Sequence, residues 1–225
     1  MRLAVLFSGG KDSLFATYLA MKQGHEIKYL VTIFPESKES WMFHHPCLEL
    51  TKLQAKALGI KQIIGQTKGE KEKELEDLKK ALMKIRNKID GIVSGAIAST
   101  YQKSRIDKIC EDIGIRSVAP LWQKNHRELL EEEIRYMEIM VTGVYSEGLD
   151  KCWLGRMLDE KCLNELVELN KRYGVNLCGE GGEYETFVLD SPVFKKKIVV
   201  ESWHKVWEGN SGYIVIDKAD LVKKQ

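Results

Sequence analysis

No apolar run in this chain approaches the roughly 18 to 20 residues that a membrane span needs. The opening Met-Arg-Leu-Ala-Val-Leu-Phe is too short, and too soon followed by glycines and charges, for a secretory signal. A soluble, cytoplasmic protein with no membrane partner is expected. Charge of one sign is also missing: Lys plus Arg number 35 against 33 Asp plus Glu, a net charge of +2. A chain whose main work is holding polyanionic nucleic acid carries a far stronger bias, so no stable nucleic-acid complex is expected, although a local basic patch stays open. The five cysteines, Cys47, Cys110, Cys152, Cys162 and Cys178, are odd in number and none lies in a C-x-x-C. Neither a disulfide framework nor a zinc ribbon is indicated, and buried thiols are the default. With 225 residues, 44% hydrophobic and 30% charged, the chain can bury a core as one or two domains. Disorder, collagen and small disulfide scaffolds drop out.

What is present first is a rhythm. Short apolar runs at Leu3–Phe7 and Ile27–Phe34, and shorter ones at Gln62–Ile64, Gly91–Ser94 and Arg116–Ala119, alternate with amphipathic stretches at Leu14–Gln23, Leu48–Leu58, Glu70–Lys88 and Arg105–Ile113. That alternation predicts a five-stranded parallel sheet with helices on both faces. In Glu70–Lys88 the apolar residues Leu75, Leu78, Leu82, Ile85 and Ile89 form one stripe, which leaves the Lys and Glu residues as a solvated face. After Pro120 the rhythm changes to a helix over Glu128–Met140, a run at Val141–Tyr145, a helix over Asp159–Arg172, and strand-like runs at Lys197–Val200 and Tyr213–Ile216. The prediction is an α/β domain over residues 1–123 followed by a smaller α+β domain over 124–225.

The sharpest local signal is Ser8-Gly9-Gly10-Lys11-Asp12-Ser13, directly after the first strand and directly before the first helix. Two glycines let the chain turn tightly and present successive N–H groups to an anion, and the helix N-terminus adds partial positive charge. Ser8 and Ser13 can donate hydroxyl hydrogen bonds, Lys11 can neutralise phosphate charge, and Asp12 can hold a magnesium ion bridging phosphate oxygens. A plain helix cap is the alternative for Asp12 or Ser13 taken singly. A Walker loop fails by counting, because its first glycine falls at Val5 and Lys11 is followed by Asp12. A dinucleotide fingerprint starting at Gly179 fails too, with Tyr184 at its third glycine position.

Ser-Gly-Gly-Lys-Asp-Ser after a first strand resembles the PP-loop of the N-type ATP pyrophosphatases. Three further segments narrow the likeness: Gly95 to Arg105, Pro120-Leu121-Trp122, and Glu180-Gly181-Gly182-Glu183-Tyr184-Glu185-Thr186. Together they resemble the diphthine ammonia ligase (diphthamide synthetase) family, over most of the chain. The resemblance implies a sheet of the adenine nucleotide alpha hydrolase-like (HUP) type and an acid–ammonia ligase. The implied reaction uses ATP and Mg2+ to activate the carboxylate of diphthine on translation elongation factor 2, through an acyl-adenylate. Ammonium then yields diphthamide, with AMP and pyrophosphate released. No glutamine-hydrolysing domain is visible, so free ammonia is the expected donor.

The candidate ATP-binding set is Ser8, Gly9, Gly10, Lys11, Asp12, Ser13 and Gly95, with Asp12 as the metal ligand. Ser99, Tyr101, Gln102, Arg105, Trp122 and Glu180 through Thr186 form the candidate substrate set, and Lys11, Asp12, Arg105, Glu183 and Glu185 the catalytic one. Residues 94–99 are small, as suits a ligand lying close to the backbone at the carboxyl edge of a parallel sheet. Tyr101 and Arg105 stand at i and i+4 and share a helix face. Arg105 can grip a carboxylate or phosphate in forked bonds, or pair with Asp107, Asp112 or another carboxylate. Three carboxylates at Glu180, Glu183 and Glu185 call for a cation nearby or for open solvent. That cation is magnesium, ammonium or the substrate's trimethylammonium, the last suited to the faces of Tyr184, Trp122 or Trp153. His44 and His45 read as loop residues near adenosine or plain surface. His204, between Trp203 and Trp207, reads as aromatic packing. The rival functions are a PP-loop enzyme modifying tRNA and a non-catalytic ATP-binding module; homo-oligomerisation stays open.

Overall fold

The computed structural model describes residues 1–35, 47–67 and 71–224. His44 and His45 lie outside the described residues. The chain divides into two compact units, one of Met1–Ser8, Asp12–His44 and Gly59–Trp122, the other of Gly9–Lys11, His45–Leu58 and Gln123–Gln225.

The first unit is a five-stranded parallel sheet flanked by helices. Its strands are β1 (Arg2–Leu6), β2 (Glu26–Pro35), β3 (Lys61–Thr67), β4 (Gly91–Val93) and β5 (Arg116–Val118), in the order β3-β2-β1-β4-β5. Helices α1 (Lys11–Lys22), α3 (Lys71–Met83) and α4 (Thr100–Ile113) connect them, while α2 (Thr51–Leu58) falls in the second unit. Leu3, Ala4 and Val5 are buried because β1 pairs on both sides, with β2 through Leu3↔Ile27 and with β4 through Val5↔Val93. A strand enclosed in this way has no polar face, which is why its sequence reads as a continuous apolar run. The order reverses at β1, so the loops after β1 and β4 leave the sheet side by side. In open α/β sheets such a reversal is where ligands sit. Ala81, Leu82, Ile85 and Ile89 join Ile109, Cys110 and Ile113 against Ala4, Val31 and Ile92, so the predicted α3 stripe does meet the sheet.

In the second unit β6 (Glu138–Val144), β7 (Tyr184–Asp190), β8 (Lys196–Glu208) and β9 (Ser211–Lys223) form a separate antiparallel sheet, β7-β6-β9-β8. Helices α5 (His126–Tyr136) and α6 (Glu160–Tyr173) belong to this unit together with α2. The helix expected over Glu128–Met140 ends earlier. Met137 is extended, at φ −133 and ψ 148, and the next residue opens β6. Ile139 and Val141 continue the apolar pattern but are buried through strand pairing with β7. The two C-terminal runs expected to be four residues long are arms of a hairpin of 13 residues each. Glu201, Ser202, His204 and Lys205 break the apolar pattern there, but backbone pairing between the arms carries the strands through them. His204 differs from the expected aromatic packing as well: its Nδ1 lies 3.0 Å from Asp217 Oδ2 on the exposed face. Among the described residues, no helix is long and apolar enough to cross a membrane.

Candidate functional site

The glycine loop closes β1 onto α1 as the spacing implied. Phe7 N–H still donates to Val31 O, Gly9 turns at φ +82, and α1 starts at Lys11. Ser8 and Ser13 hydroxyls are 3.2 Å apart across the loop. Asp12 is half-buried in the first turn of α1, and Ser13 is buried. In the same unit Gly95 packs hard against this turn: a Cβ there would lie 2.9 Å from Asp12 C and from Ser13 N. Only a residue without a side chain allows that approach of the segment after β4 to the start of α1. Ser94, just before it, is buried, and its Oγ has no hydrogen-bond partner among the described residues.

Gly9 to Lys11 belong to the second unit, where they run along the outer edge of β7. Val188 N–H donates to Gly9 O at 3.2 Å, and Gln54 Nε2 donates both to Gly9 O and to Val188 O, each at 2.9 Å. The Lys11 N–H donates to Thr186 Oγ1 at 3.1 Å. The Lys11 side chain does not reach toward solvent. Its Nζ lies 3.2 Å from Glu133 Oε2, with the two side chains 1% and 0% exposed. Glu133 sits on the buried stripe of α5 beside Leu129 and Leu130. A buried charge is tolerable only with a partner of this kind. Sequence reasoning passed over Glu133, although a carboxylate on an apolar helix stripe was the available signal that a cation lay opposite.

The Glu180–Thr186 segment is a folded turn. Gly179 and Gly182 take φ +72 and +83, and Gly182 N–H closes on Gly179 O at 3.0 Å. Glu183 is turned inward on the loop: Oε1 accepts the Asn176 N–H at 3.0 Å and Oε2 the Gly181 N–H at 2.9 Å. Backbone donors thus supply much of the positive charge that this carboxylate needs. Tyr184 is buried, and its hydroxyl donates to Leu177 O at 2.6 Å. Glu180 and Glu185 are half-buried. Burial pushes the Cys47 thiol up to about 12, with Glu185 adding to the effect. Burial together with Glu185, Tyr213 and Cys47 raises the Tyr145 phenol above its ordinary value.

In the first unit, Ser99 caps α4, its hydroxyl accepting the Gln102 N–H at 3.3 Å. Tyr101 is 56% exposed, Gln102 is exposed, and the Arg105 guanidinium lies 3.7 Å from the Tyr101 ring centroid. Asp107 pairs with Lys103 and Asp112 with Lys79. Trp122 receives the Lys103 ammonium 5.4 Å from its ring centroid, so its face accepts a cation. The Trp153 face is covered by Arg156 at 4.3 Å. No group of three or more His, Cys, Asp or Glu able to hold a metal occurs among the described residues. A magnesium ion carried by a nucleotide needs only one or two carboxylates beside the phosphates, and the half-buried Asp12 offers one.

Two family models match successive parts of the chain: the diphthamide synthase N-terminal domain over residues 1–117 and the diphthamide synthase C-terminal domain over 125–222. The chain belongs to the diphthamide synthase family. Membership makes it a ligase that forms a carbon–nitrogen bond. It is 36% identical over 225 residues to the diphthine–ammonia ligase of Homo sapiens, covering 90% of this chain and 84% of that one. The Danio rerio diphthine–ammonia ligase is 34% identical over 238 residues, with 95% and 91% covered. In fold, this diphthamide synthase family member is similar to the crystal structure of a predicted subunit of tRNA methyltransferase from Methanocaldococcus jannaschii. That likeness has a TM-score of 0.50 at 18% identity, over 85% of this chain and 98% of the other.

Proposed function

We propose that this ligase converts diphthine on translation elongation factor 2 to diphthamide, with ammonium as nitrogen donor and ATP as activator. The observation that carries the reading is the glycine loop at the β1–α1 junction, approached so closely by Gly95, in a chain matched by both diphthamide synthase domains. Activation runs through an acyl-adenylate, which makes the substrate oxygen a leaving group, and AMP and pyrophosphate are the products.

Ser8, Gly9, Gly10, Ser13 and Gly95 receive the nucleotide, and their small side chains keep the backbone accessible to phosphate. Lys11 lends its charge by exchanging Glu133 for a phosphate oxygen, a step that its burial makes dependent on nucleotide binding. Asp12 holds the magnesium ion that travels with ATP; bound there, the ion offsets charge on the phosphates. Ser99, Tyr101, Gln102, Arg105 and Trp122 serve the protein substrate: Arg105 holds the diphthine carboxylate, and the Trp122 face takes its trimethylammonium group. Glu180 through Thr186 serve the substrate and the nitrogen donor, with Glu183 holding the turn in place and Glu185 acting on the nucleophile. Positioning and charge stabilisation supply most of the rate, because adenylation already provides the leaving group.

The test uses purified protein with ATP, magnesium chloride, ammonium chloride and elongation factor 2 arrested at diphthine. AMP by chromatography, together with the mass change of a hydroxyl replaced by an amino group, is the expected result. AMP that forms only with tRNA, or none at all, overturns the substrate.

A further inference from the structure

One row across the second unit's sheet brings together Glu185, Tyr213 and the neighbouring Tyr145, which no motif connects. Gly143 of β6 pairs with Glu185 of β7 on one side and with Tyr213 of β9 on the other. Residues directly opposed in antiparallel strands project to the same face, so Glu185 and Tyr213 flank the place where a residue-143 side chain would stand. Gly143 has none, and Tyr145 uses the space. A Cβ at 143 would lie 2.6 Å from Tyr145 Oη and 2.9 Å from its ring carbon Cζ. Tyr145 is held in line by its N–H, which donates to Glu183 O at 2.8 Å. Strand spacing puts the Glu185 and Tyr213 backbones about 10 Å apart, with the Tyr145 phenol over Gly143 in the gap between them. Glu185, Tyr145 and Tyr213 are all half-buried, hence neither sealed in the core nor fully in water.

We propose that Glu185, Tyr145 and Tyr213 form the seat of the ammonium donor, with Gly143 as the residue whose missing side chain admits the Tyr145 hydroxyl. The charge of the cluster fits that ligand. Cys47 is held as the thiol and Tyr145 as the phenol, so the carboxylate brings one negative charge and its neighbours bring neutral oxygen and sulfur acceptors. Magnesium prefers carboxylates, carbonyls and water to phenols, and requires near-octahedral oxygen geometry. A tetrahedral monocation with four N–H donors suits one carboxylate and two phenol oxygens better.

In that seat the Glu185 carboxylate takes one proton from ammonium, and the N–H bonding pair becomes the lone pair of ammonia. The lone pair forms the C–N bond at the activated diphthine carbonyl. The C–O bond to the adenylate breaks with its electron pair on the departing oxygen, and a second proton leaves nitrogen to water, giving the neutral amide. Glu185 is then a catalytic residue, and Tyr145 and Tyr213 bind the donor.

The inference rests on the amidation proposed above, and one experiment separates their failures. Initial rates of amide formation on diphthine-bearing elongation factor 2 are measured against ammonium chloride at saturating ATP, and then against ATP at saturating ammonium. Tyr145→Phe and Tyr213→Phe keep the rings, and each is expected to raise the KM for ammonium about tenfold, the loss of one hydrogen bond to a charged group, with the KM for ATP unchanged. Gly143→Ala should do the same by displacing the Tyr145 hydroxyl. An unchanged ammonium KM in both phenylalanine variants overturns the seat while leaving the amidation standing. Equal rises in both KM values overturn it too, by assigning the tyrosines a structural role. Wild-type protein that makes no amide from ammonium sinks both.

Discussion

Removing Glu133 tests the buried ion pair directly. Lys11 and Glu133 are 1% and 0% exposed with 3.2 Å between Nζ and Oε2, so Glu133→Ala strips a carboxylate from an ammonium group that water does not reach. Breaking a buried pair by deleting one partner costs about 3–5 kcal/mol. For a chain of this size each kcal/mol moves the melting temperature by about 2–4 °C, so a fall of about 6–20 °C is expected. Replacing both partners by apolar residues, Lys11→Met with Glu133→Leu, should return stability to within about 1 kcal/mol of wild type, since neither charge is then buried. Trp153, Trp203 and Trp207 all lie in the second unit, so tryptophan fluorescence during urea or thermal unfolding reads the right region. A Glu133→Ala cost below about 1 kcal/mol, or a double variant as unstable as the single one, refutes the reasoning. The double variant also isolates the chemistry. It should fold yet fail to release pyrophosphate, and retained turnover would remove the Lys11 side chain from phosphate binding.

Other perturbations have equally definite expectations. Gly95→Ala forces a methyl to within 2.9 Å of the Asp12–Ser13 backbone. It should cost about 1–3 kcal/mol and raise the KM for ATP, as read by unfolding and by an ATP titration; an unchanged KM separates Gly95 from the nucleotide. Glu183→Ala deletes the acceptor of the Asn176 and Gly181 N–H groups. It should abolish amidation and speed proteolysis within the Gly179–Gly182 turn, whereas a proteolytically intact but inactive variant would point to direct chemistry. Arg2 bonds hold Asp90 down at about 2. A carboxylate depressed in the folded state contributes stability that is complete above its unfolded pKa of about 3.9 and is lost as pH falls toward 2. NMR titration should find Asp90 at about 2 in wild type and part of the way back toward the ordinary carboxylate value in Arg2→Ala, which keeps the backbone N–H bond. Of the five cysteines, Cys152 is exposed and should react first with a disulfide reagent. Cys47, with its thiol at about 12, has only about one part in ten thousand as thiolate at pH 8, and mass mapping should find it unmodified.

The first unit was legible in the sequence because its signals are local. The alternation of apolar runs with striped helices needs nothing beyond neighbours a few residues apart, and it carried the parallel sheet, its helices and the place of the glycine loop. The later strands were less legible. In the β8–β9 hairpin the pairing is backbone to backbone, so polar side chains hid most of its length. The site divides along the same line. Types and spacing singled out Ser8 to Ser13 as candidates, and the family resemblance added Gly95 and Glu180 to Thr186. The orientation of each side chain was not contained in them. Glu183 folds onto its own turn, Tyr184 is spent on Leu177, and Lys11 is buried against Glu133, which lies 122 positions away in the chain. The Gly143 row joins residues 42 and 70 positions apart. Sequence patterning determines what each segment can bury and how it can turn, because those are local free energies. Only the tertiary structure decided which charges meet and which faces they share, because low-dielectric pairing and strand register depend on residues that the chain brings together from a distance.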